Sequence, residues 1–498
     1  MAGLREKAIK GVIWSALPNT FGPLISFIVF FILARLIEPS AFGLLALANV
    51  AVQFFELFVS GGFSSAVVQR EFVEPQHLNT AFWANIGMAV ILMLFVMGSA
   101  GFISEFYREP DLKDIIQWLS IKLLLDAMTQ VQVAQLRRNL AFRSLAIRSV
   151  AAEPIGGAVG IAMALAGFGV WSLVCRMLVT SYCQVLILWL ASDWRPGLQI
   201  SRKHFKDLFH FGAHIMGSGI VVFFSRRSDT LLIGYFLGAT ALGYYNVAYR
   251  LFRMMTQMIG GTVNYVAWPL FSRLQNDLPR LREGFYTVTR LVGLLAYPVF
   301  LGIFAVTPDL VPIVFGERWA PSIPVMQILA FMGLLYSVSL SNETIIVSVG
   351  KPQWRLFLQL AIAGTNILAF FLVVHWGIAA VAAAYVVVGY ALAPVSLWMV
   401  KRLIGIDFLT YFGQYKVPLA ASIMMLIVIF AMQRQLGNIW SGSPWFFGTL
   451  VVSGALTYFL AVYWLSPSTV ALIKTLIKDL KSKKRRQNKP AKSEQSTD

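Results

Sequence analysis

The sequence predicts an all-α, polytopic membrane protein of about 14 transmembrane helices, and three observations carry that prediction. Apolar residues make up 58% of the 498-residue chain and charged residues 13%, about half the charge of a soluble domain. The apolar residues arrive in blocks of about 20, the length that crosses about 30 Å of hydrocarbon as a helix. The basic residues behind the net charge of +18 gather in alternate loops between those blocks instead of forming one patch.

Taken in order, the first six spans fall at 14–35, 41–66, 80–104, 115–135, 149–167 and 170–191. Six more fall at 210–237, 242–270, 287–307, 324–347, 356–375 and 377–400, and two follow at 417–433 and 445–465. Met1 to Lys10 reads as a basic, amphipathic lead-in, and the apolar run from Trp14 is too long for the core of a cleavable signal. With the N-terminus in the cytoplasm, 29 of the 41 Lys and Arg fall inside, five outside (Arg35, Arg108, Lys113, Arg318, Arg434) and seven within spans. This positive-inside bias places both termini in the cytoplasm. It also accounts for most of the basicity, so no nucleic-acid partner is implied. The tail carries nine basic residues from Lys474 onward, including Lys483-Lys484-Arg485-Arg486. Such a segment is drawn to anionic membrane lipid; a partner-docking site is the other reading.

Several classes are excluded or disfavoured. Cys175 and Cys183 lie eight residues apart in one apolar segment and cannot bridge. No Gly-rich phosphate loop is present and the loops are small, so neither ATP-driven transport nor a large catalytic domain is expected. No catalytic residue, cofactor or metal site is expected, since His214 and His375 lack paired ligand spacing.

An internal repeat organises the chain. Ser40-Ala41-Phe42-Gly43-Leu44 aligns with Thr240-Ala241-Leu242-Gly243-Tyr244, each expected in an outer loop between the first two helices of its half. Gly169-Val170-Trp171 aligns with Gly377-Ile378-Ala379 between the fifth and sixth. An even number of spans per half gives both halves the same orientation. The expected architecture is two six-helix bundles, 1–200 and 201–402, followed by two helices in 403–466 and a basic tail, 467–498. Parallel repeats of this kind frame a central cavity with alternating access, so a transport role is expected, and the internal twofold makes a monomer the default.

Charges inside spans point to the site, because an ionisable group in the bilayer core costs roughly 2.5–3.5 kcal/mol on an insertion scale and marks function. Ser225-Arg226-Arg227-Ser228-Asp229 in the seventh span and Arg250 and Arg253 in the eighth lie at similar depth. Four guanidinium groups that stay charged against one carboxylate need an anion, and their forked donors match phosphate oxygens. Pairing of Arg226 with Asp229, with the others pairing with Glu56 or snorkelling outward, is the structural alternative. Lys122 and Asp126 stand i,i+4, an intrahelical pair or a further cationic contact. Arg176 is a candidate cavity residue. Glu56 and Asp229 are candidates for coupling to an ion gradient, with Glu56 also readable as a counter-charge for the arginines. Tyr244, Tyr245, Asn246 and Tyr249 read either as sugar contacts or as an interfacial aromatic belt.

Four stretches carry a resemblance: Leu36 to Gly43 (LIEPSAFG), Arg137 to Arg143 (RRNLAFR), Leu242 to Leu251 (LGYYNVAYRL) and Phe315 to Pro321 (FGERWAP). Through about residue 465 the chain resembles bacterial polysaccharide-export flippases of the Wzx type, in the multidrug/oligosaccharidyl-lipid/polysaccharide superfamily. The resemblance implies twelve core helices plus two. It also implies movement of an undecaprenyl-pyrophosphate-linked oligosaccharide repeat unit from the cytoplasmic to the periplasmic leaflet of the bacterial inner membrane. The implied products are exopolysaccharides of the colanic-acid or succinoglycan kind, with a polymerase and glycosyltransferases as partners. An ion-coupled small-molecule exporter of the same superfamily and a non-transporting component of a synthesis complex are the rival readings. The arginine excess argues against a cation exporter, which favours an acidic cavity.

Overall fold

The computed structural model describes residues 22, 24–61, 67, 73–139, 141–440 and 442–467. The lead-in Met1 to Lys10, Pro18, Pro23 and the basic tail beyond 467 lie outside the described residues. The described residues are overwhelmingly helical. In chain order the helices are α1 (Leu24–Leu36), α2 (Pro39–Gly61), α3 (Pro75–Tyr107), α4 (Leu112–Arg138), α5 (Phe142–Leu165) and α6 (Val170–Ala191). The next are α7 (202–237), α8 (239–274), α9 (Leu278–Val314), α10 (Ser322–Ser348), α11 (Pro352–Val373) and α12 (Ile378–Ile404). A short α13 (Phe408–Gly413) precedes α14 (Lys416–Trp440) and α15 (Pro444–Leu465).

Eleven described segments are long and apolar enough to cross a membrane. One of them, 219–261, is two crossings joined at Gly238, and the shorter α1 and the less apolar α4 bring the number to fourteen. α4 carries Lys122, Asp126 and several glutamines, yet its Leu112, Ile115, Ile116, Leu119 and Leu123 are fully buried. Its apolar face packs inside the protein, and Lys122 and Asp126, 20% and 27% exposed, pair with each other. Large apolar side chains point away from the protein elsewhere, as with Phe102, Leu190 and Trp464, 74%, 84% and 84% exposed. Surface of that kind suits hydrocarbon.

Punctuation follows the chemistry of helix ends. Pro39, Pro75, Pro352 and Pro444 open their helices, where a missing N–H removes a donor that has no intrahelical partner anyway. Pro298, Pro308 and Pro312 lie inside α9. That helix runs past the predicted end at residue 307, which shrinks the outer loop to 315–321. Its polar residue Asp309 is satisfied within the protein, accepting from Gln433 Nε2 of α14 at 2.6 Å.

α2 packs on α4, α3 on α4, α4 on α6 and α5 on α6, while α10 packs on α8, α9 and α12, and α11 on α12. These are the two six-helix bundles. The most extensive contact between them is α2 against the α7–α8 unit. α14 and α15 pack on each other and on α9, where the Tyr458 hydroxyl donates to Leu294 O at 2.8 Å.

The repeat motifs sit differently from expectation. Residues 40–44 and 240–244 lie in the opening turns of α2 and α8, not in loops. At Gly238 the backbone adopts φ +79°, ψ 177°, a conformation only glycine takes without strain. Glu109 then caps α8 by accepting the Ala239 N–H at 3.0 Å, so a one-residue break replaces a loop. These turns make a reciprocal contact across the pseudo-twofold. A Cβ on Gly43 would lie 1.7 Å from Ala239 O, and one on Gly243 would lie 1.9 Å from Pro39 O. The pairs 43/239 and 243/39 preserve the 200-residue repeat, so each bundle offers a glycine to the other's backbone. Trp319 completes the closure. It is fully buried, donates Nε1–H to Ala34 O at 2.8 Å, and packs edge-on against Phe42 and Tyr244. Arg318 donates to Arg35 O, and Ser322 Oγ to Tyr244 O at 3.1 Å. Three of the four resemblance stretches therefore meet at one sealed end of the molecule.

Candidate functional site

Beneath that seal, between the bundles, is a cavity of about 540 Å³, within the ~300–1,000 Å³ range of small-molecule sites. Helical spacing builds its walls. α8 contributes Asn246, Arg250, Arg253 and Gln257, at i, i+4, i+7 and i+11 on one face, and α7 contributes Arg227 and Thr230. α2 contributes Phe42, Asn49 and Gln53; α1 contributes Ser26 and Phe30; α5 contributes Ser149 and Glu153. Phe42 lines the cavity and touches Trp319, so the aromatic seal is also its roof.

Three of the four predicted arginines, Arg227, Arg250 and Arg253, converge on this cavity. Arg226 is exposed and outside the lining, because one residue back is about 100° round the helix. Arg227 donates to Gln53 Oε1 at 2.6 Å, a neutral partner that orients the group without cancelling its charge. Arg250 donates to Ser26 Oγ at 3.2 Å and lies 4.2 Å from the centroid of the Phe30 ring, a cation–π contact.

Arg176, on α6, donates to the same Ser26 hydroxyl at 3.0 Å and pairs with Glu153 at 3.3 Å. Small residues make this possible: a Cβ on Gly160 would lie 2.9 Å from Arg176 Cβ, and one on Gly156 would lie 2.8 Å from Arg176 O. α5 and α6 thus approach closely in the small-xxx-small manner. Among the described residues Glu153 is the one carboxylate in the cavity lining, and sequence reasoning missed it. The signal was available, since a carboxylate inside a span is the same anomaly as Glu56, but Glu153 stands near the basic inner end of its span. With Arg176 and Glu153 neutralising each other, the three lining arginines remain in excess.

The pair yields a testable coupling. Arg176→Ala and Glu153→Ala are each expected to lower stability, and the double variant is expected to lose less than the sum of the two. Either single change leaves a partner charged and unpaired, at a cost of about 3–5 kcal/mol for a buried pair, here reduced by the partial exposure of both side chains. Thermal unfolding of the four-member cycle measures the coupling, and additive losses would remove it.

The other predicted residues lie elsewhere. Lys122 is held by Glu56 and, at 2.6 Å, by Asp126, away from the cavity lining. The expected i,i+4 pair is present, and Glu56 joins it in place of countering the arginines. Asp229 is buried, accepting from Thr230 N–H at 2.6 Å and the Tyr245 hydroxyl at 3.0 Å. Tyr245 is therefore a core residue, and Tyr244 belongs to the seal. Asn246 and Tyr249 line the cavity, which sets the aromatic-belt reading aside for this group.

Comparison with known proteins agrees with the fold. Residues 32–324 match the family described as polysaccharide biosynthesis protein, and the chain belongs to that family. It is 24% identical over 473 residues to the teichuronic acid biosynthesis protein TuaB of Bacillus subtilis, covering 94% of this chain and 98% of that one. It is 28% identical over 337 residues to the lipopolysaccharide biosynthesis protein WzxC of Escherichia coli, covering 67% and 68%. Among solved structures it resembles the lipid II flippase MurJ in an inward closed conformation, with a TM-score of 0.73 at 12% identity over 92% of this chain and all of that one.

Proposed function

We propose that this protein is a flippase that moves a polyprenyl-pyrophosphate-linked oligosaccharide across the bacterial inner membrane, from the cytoplasmic to the periplasmic leaflet. The observation that carries this reading is the cavity between two parallel bundles in which three arginines outnumber one already paired glutamate. A pyrophosphate esterified at both ends carries two negative charges, and guanidinium groups bind such oxygens through paired donors. Relatives named for teichuronic acid and lipopolysaccharide biosynthesis support a lipid-linked glycan as the substrate class. Undecaprenol is the lipid proposed, and an exopolysaccharide of the colanic-acid or succinoglycan kind the product.

In this mechanism Arg227, Arg250 and Arg253 take the pyrophosphate, with Arg176 behind them and Arg226 on the flank. Asn246, Tyr249, Asn49 and Gln257 offer polar and aromatic contacts to sugars. The polyprenyl tail stays in the bilayer, entering between the lobes. The lobes, 1–200 and 201–402, rock about the cavity, while 403–466 braces the second lobe. Bound anion lowers the repulsion among the arginines and so permits closure around the substrate. The Gly43–Gly243 clasp and Trp319 form the periplasmic gate, closed in this structure. The Lys122–Glu56–Asp126 cluster and Asp229 are the places where an ion gradient would couple. No step makes or breaks a covalent bond in the sugar, so the chain acts as a transporter, with a polymerase and glycosyltransferases as its working partners.

The test is deletion in the native strain. Loss of the protein is expected to stop polysaccharide export and leave lipid-linked repeat units on the cytoplasmic leaflet. Normal export without it, or units accumulating already on the periplasmic leaflet, would rule the reading out.

A further inference from the structure

A second chemically distinct cluster lies away from the cavity, where the link between the two bundles returns to the first. Glu74 is the N-cap of α3, His77 stands in the first turn of that helix, and His204 stands in the first turn of α7. Among the described residues these three form one group in which a ligand atom from each lies within 4.8 Å of the other two. The imidazoles pack edge to face with centroids 4.0 Å apart, His77 is buried, and His204 Nε2 lies 3.5 Å from a Glu74 carboxylate oxygen.

We propose that Glu74, His77 and His204 form a binding site for a first-row divalent metal ion, zinc above all, that fastens the start of α7 to the start of α3. Glu74 and His77 exchange the two hydrogen bonds of a capping box and Glu74 pairs with His204 Nε2, so two imidazoles and a carboxylate are gathered at one point, while His204 Nδ1 is buried without a hydrogen-bond partner. His77 Nδ1 accepts the Glu74 N–H at 3.3 Å, long for such a bond, and a metal ion at that nitrogen would replace it. Two imidazoles and a carboxylate are a zinc donor set with a fourth position left for water, whereas magnesium and calcium take oxygen ligands. Tetrahedral zinc with bonds of about 2.0–2.1 Å holds its ligand atoms about 3.3 Å apart. The exposed Glu74 side chain has room to make that adjustment.

The surrounding chain is built to bring these residues together. In the segment between α6 and α7, Gly197 N–H donates to Asn79 Oδ1 at 3.0 Å, and Gly197 O accepts from Trp83 Nε1 at 2.9 Å. Ser201 N–H donates to Thr80 Oγ1 at 3.1 Å, and its own hydroxyl caps α7 by accepting His204 N–H. One face of α3 therefore straps the inter-bundle segment and delivers His204 to His77. A cation there closes the strap at the point where the two halves of the chain are covalently joined.

The test uses the full-length chain without an affinity tag, purified in detergent, stripped with a chelator, desalted and re-equilibrated with zinc. Wild type is expected to retain one zinc per chain by elemental analysis, to show imidazole ligation in its X-ray absorption spectrum, and to unfold at a higher temperature with zinc than without. Glu74→Gln and His204→Gln are expected to weaken zinc binding by at least about tenfold and to lose the thermal shift. His77→Asp, which keeps a ligand at that position, is expected to retain zinc. Absence of stoichiometric zinc in a folded wild-type protein, or equal zinc retention by His204→Gln, would overturn the proposal.

Discussion

Arg250→Ala, Arg253→Ala and Arg227→Ala are each expected to abolish polysaccharide export in complementation, with the variant still present in the membrane. Each guanidinium lines the cavity, and none has a carboxylate as its hydrogen-bond partner. A hydrogen bond to a charged group contributes about 1.5–3 kcal/mol, so losing one phosphate contact lowers affinity roughly 10- to 150-fold. Arg226→Ala, outside the lining, is expected to stay close to wild type, which separates a cavity effect from a general loss of positive charge. Arg250 also packs on Phe30 and bonds Ser26, so Arg250→Lys provides the control. It keeps the charge but loses the planar fork, and partial export is expected. The check is export measured against membrane abundance, with lipid-linked intermediates assayed by leaflet; uniform tolerance across the three positions would exclude them as substrate contacts.

Gly43→Ala and Gly243→Ala are expected to block transport for a different reason. A new Cβ at either position falls within 2 Å of the opposing backbone carbonyl, roughly 1.5 Å inside an ordinary carbon–oxygen contact of about 3.3 Å. Backbone cannot rotate aside as a flexible side chain can, so α2 and α8 must part. Overpacking of this size costs about 1–3 kcal/mol, a 5- to 150-fold shift away from the sealed state. A cysteine placed at Asn246, in the cavity wall, reports it in a background with Cys175 and Cys183 replaced. An impermeant thiol reagent added from the periplasmic side is expected to label that cysteine faster in either glycine variant than in the parent. Equal labelling would mean that the clasp is not the gate.

Much of the fold was legible because lipid imposes a simple rule: a crossing helix needs about 20 apolar residues. It reaches even α4, whose Lys122 and Asp126 pair with each other and whose apolar face packs on its neighbours. It misjudges ends. α9 was cut short at Asp309, a residue that Gln433 satisfies from another helix, and no local pattern announces a partner 124 residues away. The arginines were visible as charges in the wrong solvent. Their division into three that face the cavity and one that does not depends on helix phase, which the kink at Gly238 sets. Glu153 escaped notice beside the basic residues at its end of α5, and its partner Arg176 is brought to it by the close approach of two helices at glycines. The 40–44 and 240–244 pentapeptides were recognisable as a repeat. That each glycine there meets the other repeat's backbone is a property of the assembled bundles, and hydropathy carries no trace of it.

The most direct test of the central claim is reconstitution of the purified full-length chain into liposomes that carry a polyprenyl-pyrophosphate-linked oligosaccharide in both leaflets. An impermeant enzyme or oxidant that modifies the sugar is then added outside. Without protein, about half of the glycolipid is expected to react, the outer-leaflet share; with wild-type protein nearly all of it should react, and with Arg250→Ala about half again. Reaction that stops at the outer-leaflet share with wild-type protein, under an imposed proton or sodium gradient as well as without one, would contradict the flippase account.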